Sequence, residues 1–565
     1  MEQKPPKSKK KGKKGILADL TKKQKIAVGT IGVVSIAGIF GGIFTFMLLP
    51  KGGRCIIGAD IEDIDALDPL ISIFWEQQIL YHVCECLFDN DNSGGEPELV
   101  NVLATGYEWN NNATELTVTL RQGVKFHDGT PFNAMAVKWN FDRIYRLLNL
   151  YQELLNGTIL SWGYLFILPD GQGIVNETRV INDYTVKFML NDSFVPFLQL
   201  LTHTTTSILS PASTPANELI DYLTGELIGT GAFTYDRYEP HVNVIMSRNQ
   251  NYWGRKAKLD EIEFKFYQNQ DNLLEAFLSK ECHFLEPLFL EYTTEVPIGL
   301  FKNNPKFTVQ ESILPNYRYI GMNNNSINIT MRKAISYAIN YSYYIENVTG
   351  DRGIRGRSPI PEGCLYSNTT AFDVPEYNIT YARKLLKDAG WPGTESLTAN
   401  NNVSAGNEWE KLVTDDNPLE TYNFSYLSPA KNLLHKRQSI LLPEILKQIG
   451  IKLNHVGPFR FEEIFIFGWI FDYADPHNSI FSIFSHYNYM KLNDSLIAQW
   501  INEGVKETNS TKRRQIYYNI QERLIEVLYP VAWTFSIIKY NVYVSNLKAY
   551  QPNPYKTLLK DAYFV

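Results

Sequence analysis

Residues 115 to 143 read ELTVTLRQGVKFHDGTPFNAMAVKWNFDR, and the hydrophobic period changes within them. Glu115 to Val124 alternates apolar and polar residues, the pattern of a strand with one buried face. Asp128-Gly129-Thr130-Pro131 supplies turn residues, and Phe132, Ala136, Val137 and Trp139 then recur at helical spacing. The stretch predicts a strand, a turn and a helix, with no catalytic group evident in it. His127 adjoins the turn and is assigned a structural role.

Further blocks flank it. Leu67-Asp68-Pro69 is followed by Tyr81 to Asp89; Gly229-Thr230-Gly231-Ala232-Phe233 by Arg248 to Gly254 (RNQNYWG) and Lys258 to Ile262 (KLDEI). Asn323, Met331 to Asn340 (MRKAISYAIN), Ser358-Pro359-Ile360-Pro361 and Tyr381 to Pro392 (YARKLLKDAGWP) come next. Arg332 to Tyr344 places Ile335, Ala338, Ile339 and Ser342 on one helical face. Ala382, Leu385, Leu386 and Ala389 repeat that spacing before Gly390 ends the helix. The glycines of GTGAF permit tight backbone turns, and the longer context of a phosphate-binding loop is absent.

In order and spacing these blocks resemble the family 5 extracellular solute-binding proteins, which deliver peptides, nickel chelates or oligosaccharides to ATP-driven importers. The resemblance covers nearly all of 55–565. It implies an α/β fold that is two-lobed and periplasmic-binding-protein-like (type II, the enlarged class with an extra subdomain). Lobe one is expected at 55–316 plus 536–565, with the extra subdomain within about 85–230, and lobe two at 317–535. The chain should cross between lobes near 312–322 and 528–540, both apolar extended runs, and the lobes should close on a ligand like a hinge.

With 565 residues, 20% charged and 44% hydrophobic, the composition is that of a globular protein too long for one ordinary core. A net charge of −6 with scattered basic residues downstream leaves no footprint for nucleic acid. The amino terminus differs: ten lysines from Lys4 to Lys25 precede the uncharged run Ile26 to Leu49. Those 24 residues, at ~1.5 Å each, make roughly 36 Å, enough to cross a ~30 Å hydrocarbon core. A basic cytoplasmic tail at 1–25, one N-terminal transmembrane helix at 26–49 and an extracellular binding domain are therefore expected, a single-pass arrangement in the cell membrane. The bulky Phe46-Met47-Leu48-Leu49-Pro50 end favours an uncleaved anchor, and Arg54 before Cys55 is a poor match to a lipidation signal.

Fourteen Asn-x-Ser/Thr sequons support the outside placement: Asn112, Asn156, Asn176, Asn191, Asn324, Asn328, Asn340, Asn347, Asn368, Asn378, Asn402, Asn423, Asn493 and Asn509. With 47 asparagines, chance predicts roughly five. Five cysteines are too few for a disulfide framework; Cys84 and Cys86 are too close to pair easily, and Cys282 and Cys364 meet only if the fold brings them together. His82, Cys84 and Cys86 would share a face on a strand, but the resemblance makes this segment helical, and no metal site or cofactor is expected.

The leading site candidate is Phe467 to Pro476, FGWIFDYADP. Ile464 to Phe471 is apolar enough for a buried strand, with Asp472 at its end. In peptide-binding members of the family the acid matching Asp472 holds the peptide's free α-amine. The alternative is that Asp472 caps a helix starting near Asp475-Pro476. For the other end of the ligand Lys431 comes first, then Arg437, with His435 a third choice; the solvated surface charge is the favoured alternative for each. Trp469 and Tyr473 would stack on the ligand or fill the core, and Tyr317 and Tyr319 lie beside the expected hinge. Residues 393–420 read as a polar external loop, and Asn454 to Phe461 is short for the helix the family usually has there.

The expected function is capture of short peptides for the permease subunits of an ABC importer. Oligosaccharide or metal-chelate binding is the runner-up, and a surface sensory receptor comes from another class. No enzyme is expected, because Gly-x-Ser-x-Gly and His-Glu-x-x-His are absent.

Overall fold

The computed structural model describes residues 52–565 other than 74, 94, 155–161, 169–170, 286–297, 351, 427–432, 458–459 and 554–555. The basic tail and the expected membrane helix at 26–49 lie outside the described residues. Among those described, no helix is long and apolar enough to cross a membrane.

A twelve-stranded mixed sheet runs through the molecule in two halves. The first contains Arg54–Ala59, Glu261–Phe266, Asn243–Arg248 and Phe233–Glu239; the second Asn316–Met322, Ile464–Ile470, Glu420–Tyr426 and Ile451–His455. One strand, Val531–Val544, belongs to both. Its start pairs antiparallel with Asn316–Met322, and Ile538 to Val544 pairs with Phe307–Ile313. It is buried at every position except Ile538, with Thr534, Ser536, Lys539 and Asn541 covered among its apolar residues. The chain passes between the halves a second time at Leu314-Pro315, between two strands, where a proline costs no ladder bond.

One core backs the first half. Two others cover opposite faces of the second: Tyr317 and Tyr319 enter one, and Ile320 and Met322 the other. Strand alternation forces that division. A separate sheet, ordered Ala104–Trp109, Glu115–Leu120, Thr185–Leu190, Val175–Asn182, shares a core with the helix Ala134–Leu154.

The signature stretch folds as its period predicts. Its strand ends at Leu120, short of Val124, because Gly123 turns the backbone at φ 77°. Leu116, Val118, Leu120 and Val124 are all buried. His127 is structural: its backbone N–H donates to Gly229 O at 3.0 Å, and Nε2 lies 3.0 Å from Gly231 O. The GTGAF glycines act differently from expectation, since neither Gly229 nor Gly231 has a positive φ. A Cβ on Gly229 would sit 2.3 Å from Val83 O, and one on Gly231 2.5 Å from His82 O, so close backbone approach requires them.

Three local expectations need correction. The helix expected over 332–344 is two, Ile329–Ala338 and Tyr341–Thr349, because the Asn340 side chain accepts from Tyr343 N and caps the second. The polar stretch 393–420 contains a helix, Val403–Thr414, held by fully buried Trp409; its Asn-rich start supplies the cap, Asn402. The helix before Cys84 ends at Val83, so Cys84 to Cys86 are irregular. All five cysteines are free, and Cys282 and Cys364 sit in different cores.

Candidate functional site

Ile464–Ile470 is paired on both edges, antiparallel to Asn316–Met322 and parallel to Glu420–Tyr426. Its end is therefore fixed, and it delivers Asp472 to the line where the two halves meet. There the Tyr164 hydroxyl donates to Asp472 Oδ2 at 2.7 Å, and Asn478 Nδ2 donates to the same oxygen at 2.8 Å. The Asp472 N–H and Trp469 Nε1 both donate to Asn478 Oδ1, at 3.2 and 3.1 Å. Asn478 thus ties strand end, indole and carboxylate together. Among the described residues no side chain is bonded to Oδ1 of Asp472. Burial pushes this carboxyl up to about 6, while the bonds from Asn478 and Tyr164 pull it down.

Asp475 takes the structural role. It accepts from His477 N at 2.9 Å at the start of the short helix His477–Phe481 and forms a buried two-point ion pair with Arg513 at 2.6 and 2.9 Å. The helix-cap alternative for Asp472 is thereby filled by its neighbour.

Beside Asp472 runs a partly exposed aromatic shelf. Phe467 and Trp469 share a face of the strand by their spacing of two. Tyr487 lies 6.4 Å from Trp469, and Tyr487, Tyr489 and Phe461 stack in series. A pocket of about 20 Å³, the size of one water or one ammonium group, adjoins Asp472 and is walled by Tyr81, Asn90, Asn92, His203 and Tyr473. Tyr81, Asn90, Asn92 and Lys556 also line a larger cavity of about 650 Å³, within the range of small-molecule sites. That cavity carries four acids, Glu85, Asp89, Asp91 and Asp561, against Lys556 and Lys560. Asp472 is outside its lining.

The other candidates scatter. Tyr473 adjoins the small pocket but is 4% exposed and packs in the subdomain core, across the line between the halves. Tyr317 and Tyr319 are fully buried against Trp533, Phe465 and Phe471, in the core and away from both cavities. Arg437 lies on the helix Leu433–Lys447 and donates to Val348 O at 3.4 Å; His435 is buried on the same helix. Lys431 and Asn156 lie outside the described residues. Tyr164 carried no signal in the sequence, since 308 positions separate it from its partner; Asn478 stood six residues past Asp472 and was legible as a polar neighbour. Among the described residues no group of His, Cys, Asp or Glu could hold a metal ion.

A two-lobed α/β protein with an acid and an aromatic shelf where its halves meet defines a ligand-capturing protein of the type that closes around a solute. The chain belongs to family 5 of the bacterial extracellular solute-binding proteins, whose middle-region model matches residues 98–491. The family's members are the solute-binding, not catalytic, components of ABC importers. The glutathione-binding protein GsiB of Pectobacterium atrosepticum is 28% identical over 361 residues, 63% of this chain and 64% of that protein. GsiB of Escherichia coli K12 is 27% identical over 354 residues, 60% and 62%. The chain thus spans a little under two thirds of the length of these relatives. HbpA2 of Haemophilus parasuis has the same fold, with a TM-score of 0.73 at 21% identity over 91% of this chain and 100% of that one. DppA of Helicobacter pylori, solved with the peptide STSA, gives 0.68 at 20% identity over 91% and 98%.

Proposed function

We propose that this protein is a membrane-anchored extracellular receptor that captures short peptides by their free α-amine at Asp472 and passes them to an ABC importer. The observation that carries the reading is the carboxylate itself: oriented by Tyr164 and Asn478 through one oxygen, with the other open to a charge-assisted bond from an ammonium. The small pocket beside it fits such a group, and Trp469 and Tyr487 offer faces for the ligand beyond it. Glutathione, named for the relatives, is itself a short peptide with a free α-amine.

Lobe one is taken as 55–316 with 536–565 and lobe two as 317–535, hinged where Leu314-Pro315 and Val531–Val544 cross between the sheet halves. The anchor is the apolar run 26–49, and the domain beyond it is glycosylated outside the cell. In support, none of the 13 sequon asparagines among the described residues is buried.

The aromatic shelf favours one second reading, an oligosaccharide whose rings stack on Trp469 and Tyr487. Mass spectrometry of ligand released from the purified protein by gentle denaturation separates the two. Peptides present with the native protein and missing from Asp472→Asn support amine capture; sugars, or peptides retained by the variant, refute it.

A further inference from the structure

Asn90 and Asn92 line the small pocket together with Asp472, and each keeps a buried side-chain oxygen, Oδ1, with no hydrogen-bond partner among the described residues. The hydrogen bonds around them fix which way each carboxamide points. Thr202 Oγ1 donates its one proton to Gln199 O at 2.8 Å, so toward Asn90 it can only accept, and Asn90 Nδ2 donates to it at 3.1 Å. Asn92 Nδ2 donates to the Asn90 carbonyl oxygen at 3.4 Å, again a group that only accepts. In both side chains the oxygen is therefore the atom left over. Leaving a buried acceptor without a donor is costly, and two in one pocket call for a ligand that brings N–H or O–H groups.

Other groups in the same wall are engaged elsewhere. Lys556 is bonded to Asp89 and lies over the Tyr81 ring at 5.2 Å. Burial lowers the pKa of His203 to about 3, which keeps it neutral, and its Nδ1 sits 2.9 Å from Thr205 Oγ1. Asp472 adds a third acceptor to the wall: Oδ2 already takes bonds from Tyr164 and Asn478, while Oδ1 has no side-chain bond among the described residues. A water offers two donors and would leave one of three acceptors bare; a primary ammonium offers three. The volume of about 20 Å³ admits that group and leaves no room for a methyl upon it.

We infer that Asn90 and Asn92 complete the amine site with Asp472 and restrict it to ligands with an unsubstituted primary ammonium, so that peptides beginning with proline or an N-methyl residue are refused. The inference rests on amine capture by Asp472 as proposed above. Charge alone gives no such selectivity, because an N-methylated terminus keeps its positive charge and loses one N–H. A site built to hydrogen-bond a group rejects the analogue that lacks it, since its own buried polar atoms are then left unpaired.

The test is native mass spectrometry of the purified protein with a tripeptide library offered in two forms, one with a free terminus and one N-methylated. The native protein should retain the free form at least about tenfold more strongly. Asn90→Ala combined with Asn92→Ala removes both oxygens and opens the pocket, and should bring the two forms within about threefold of each other. Asn92→Ala alone gives up only a 3.4 Å bond, which spares the fold, and should reduce the preference; Asn92→Asp keeps an oxygen in place and should retain it. Equal retention of both forms by the native protein, or a preference that persists in Asn92→Ala and in the double variant, would overturn the inference while leaving Asp472 its role. Undiminished retention of both forms by Asp472→Asn, or retention of neither form by the native protein, would overturn the amine-capture reading and the inference with it.

Discussion

The Tyr164 hydroxyl donates to the Asp472 carboxylate at 2.7 Å, joining the subdomain to the end of a strand in the second half of the large sheet. This bond ties two separately packed parts of the molecule together on the very group proposed to hold the ligand. It also favours the charged form of a carboxyl that burial has pushed up to about 6.

Peptide affinity should therefore depend on pH. An ammonium needs the ionised carboxylate, so affinity should weaken as pH falls through about 6, approaching tenfold per unit below it. Tyr164→Phe removes a bond that lowers this pKa and should move the midpoint upward. Calorimetric titrations from pH 5 to 8 check both, and a flat profile for the native protein would contradict amine capture.

Asp472→Asn should cost roughly two to three decades of affinity. It should also stabilise the ligand-free fold at pH 7. The folded pKa of about 6 lies above the ordinary 3.8, so the folded state holds its proton longer, and stability declines as pH rises between the two values. Removing the charge should return about 1–3 kcal/mol at pH 7, and nothing below about pH 3. Urea unfolding at the two pH values measures the difference.

Asp475 and Arg513 form a buried ion pair, both nearly fully covered. Asp475→Ala leaves the guanidinium uncompensated and should destabilise by about 3–5 kcal/mol. Pairing Asp475→Leu with Arg513→Met should recover most of that. A denaturant series showing additive losses in the double variant would remove the pair's assigned role.

Gly229→Ala places a methyl against Val83 O at 2.3 Å, where the obstacle is backbone and cannot rotate away. A loss of at least about 2 kcal/mol is expected. Gly299→Ala, whose Cβ meets nothing within 4 Å, should be nearly neutral in the same thermal melts.

Asn402 has two roles that can be separated. Its side chain accepts from Ala405 N at 2.7 Å, so Asn402→Ala should cost about 1 kcal/mol. Ser404→Ala keeps the cap and destroys the sequon. A mass loss from the expressed glycoprotein with Ser404→Ala, at little cost in stability, would establish glycan attachment there; unchanged mass would exclude it at this site.

The sequence by itself determined the elements whose signals are local: the alternation of Glu115 to Leu120, the turn at Asp128-Gly129, the helical spacing after Phe132, and the strand before Asp472, which is buried only from Ile464 to Ile466 and half-exposed from Phe467 to Ile470. Periodicity and turn chemistry are properties of a few neighbouring residues, and burial of one face is all they require. The broken helix at Asn340 and the helix hidden in 393–420 escaped because asparagine serves caps and loops alike, and only the packing of Trp409 decides. Tertiary structure alone placed Tyr164 on Asp472 and sent Tyr317 and Tyr319 into the core. Such relations depend on which faces of distant segments pack together, and a face has no partner until the chain has folded.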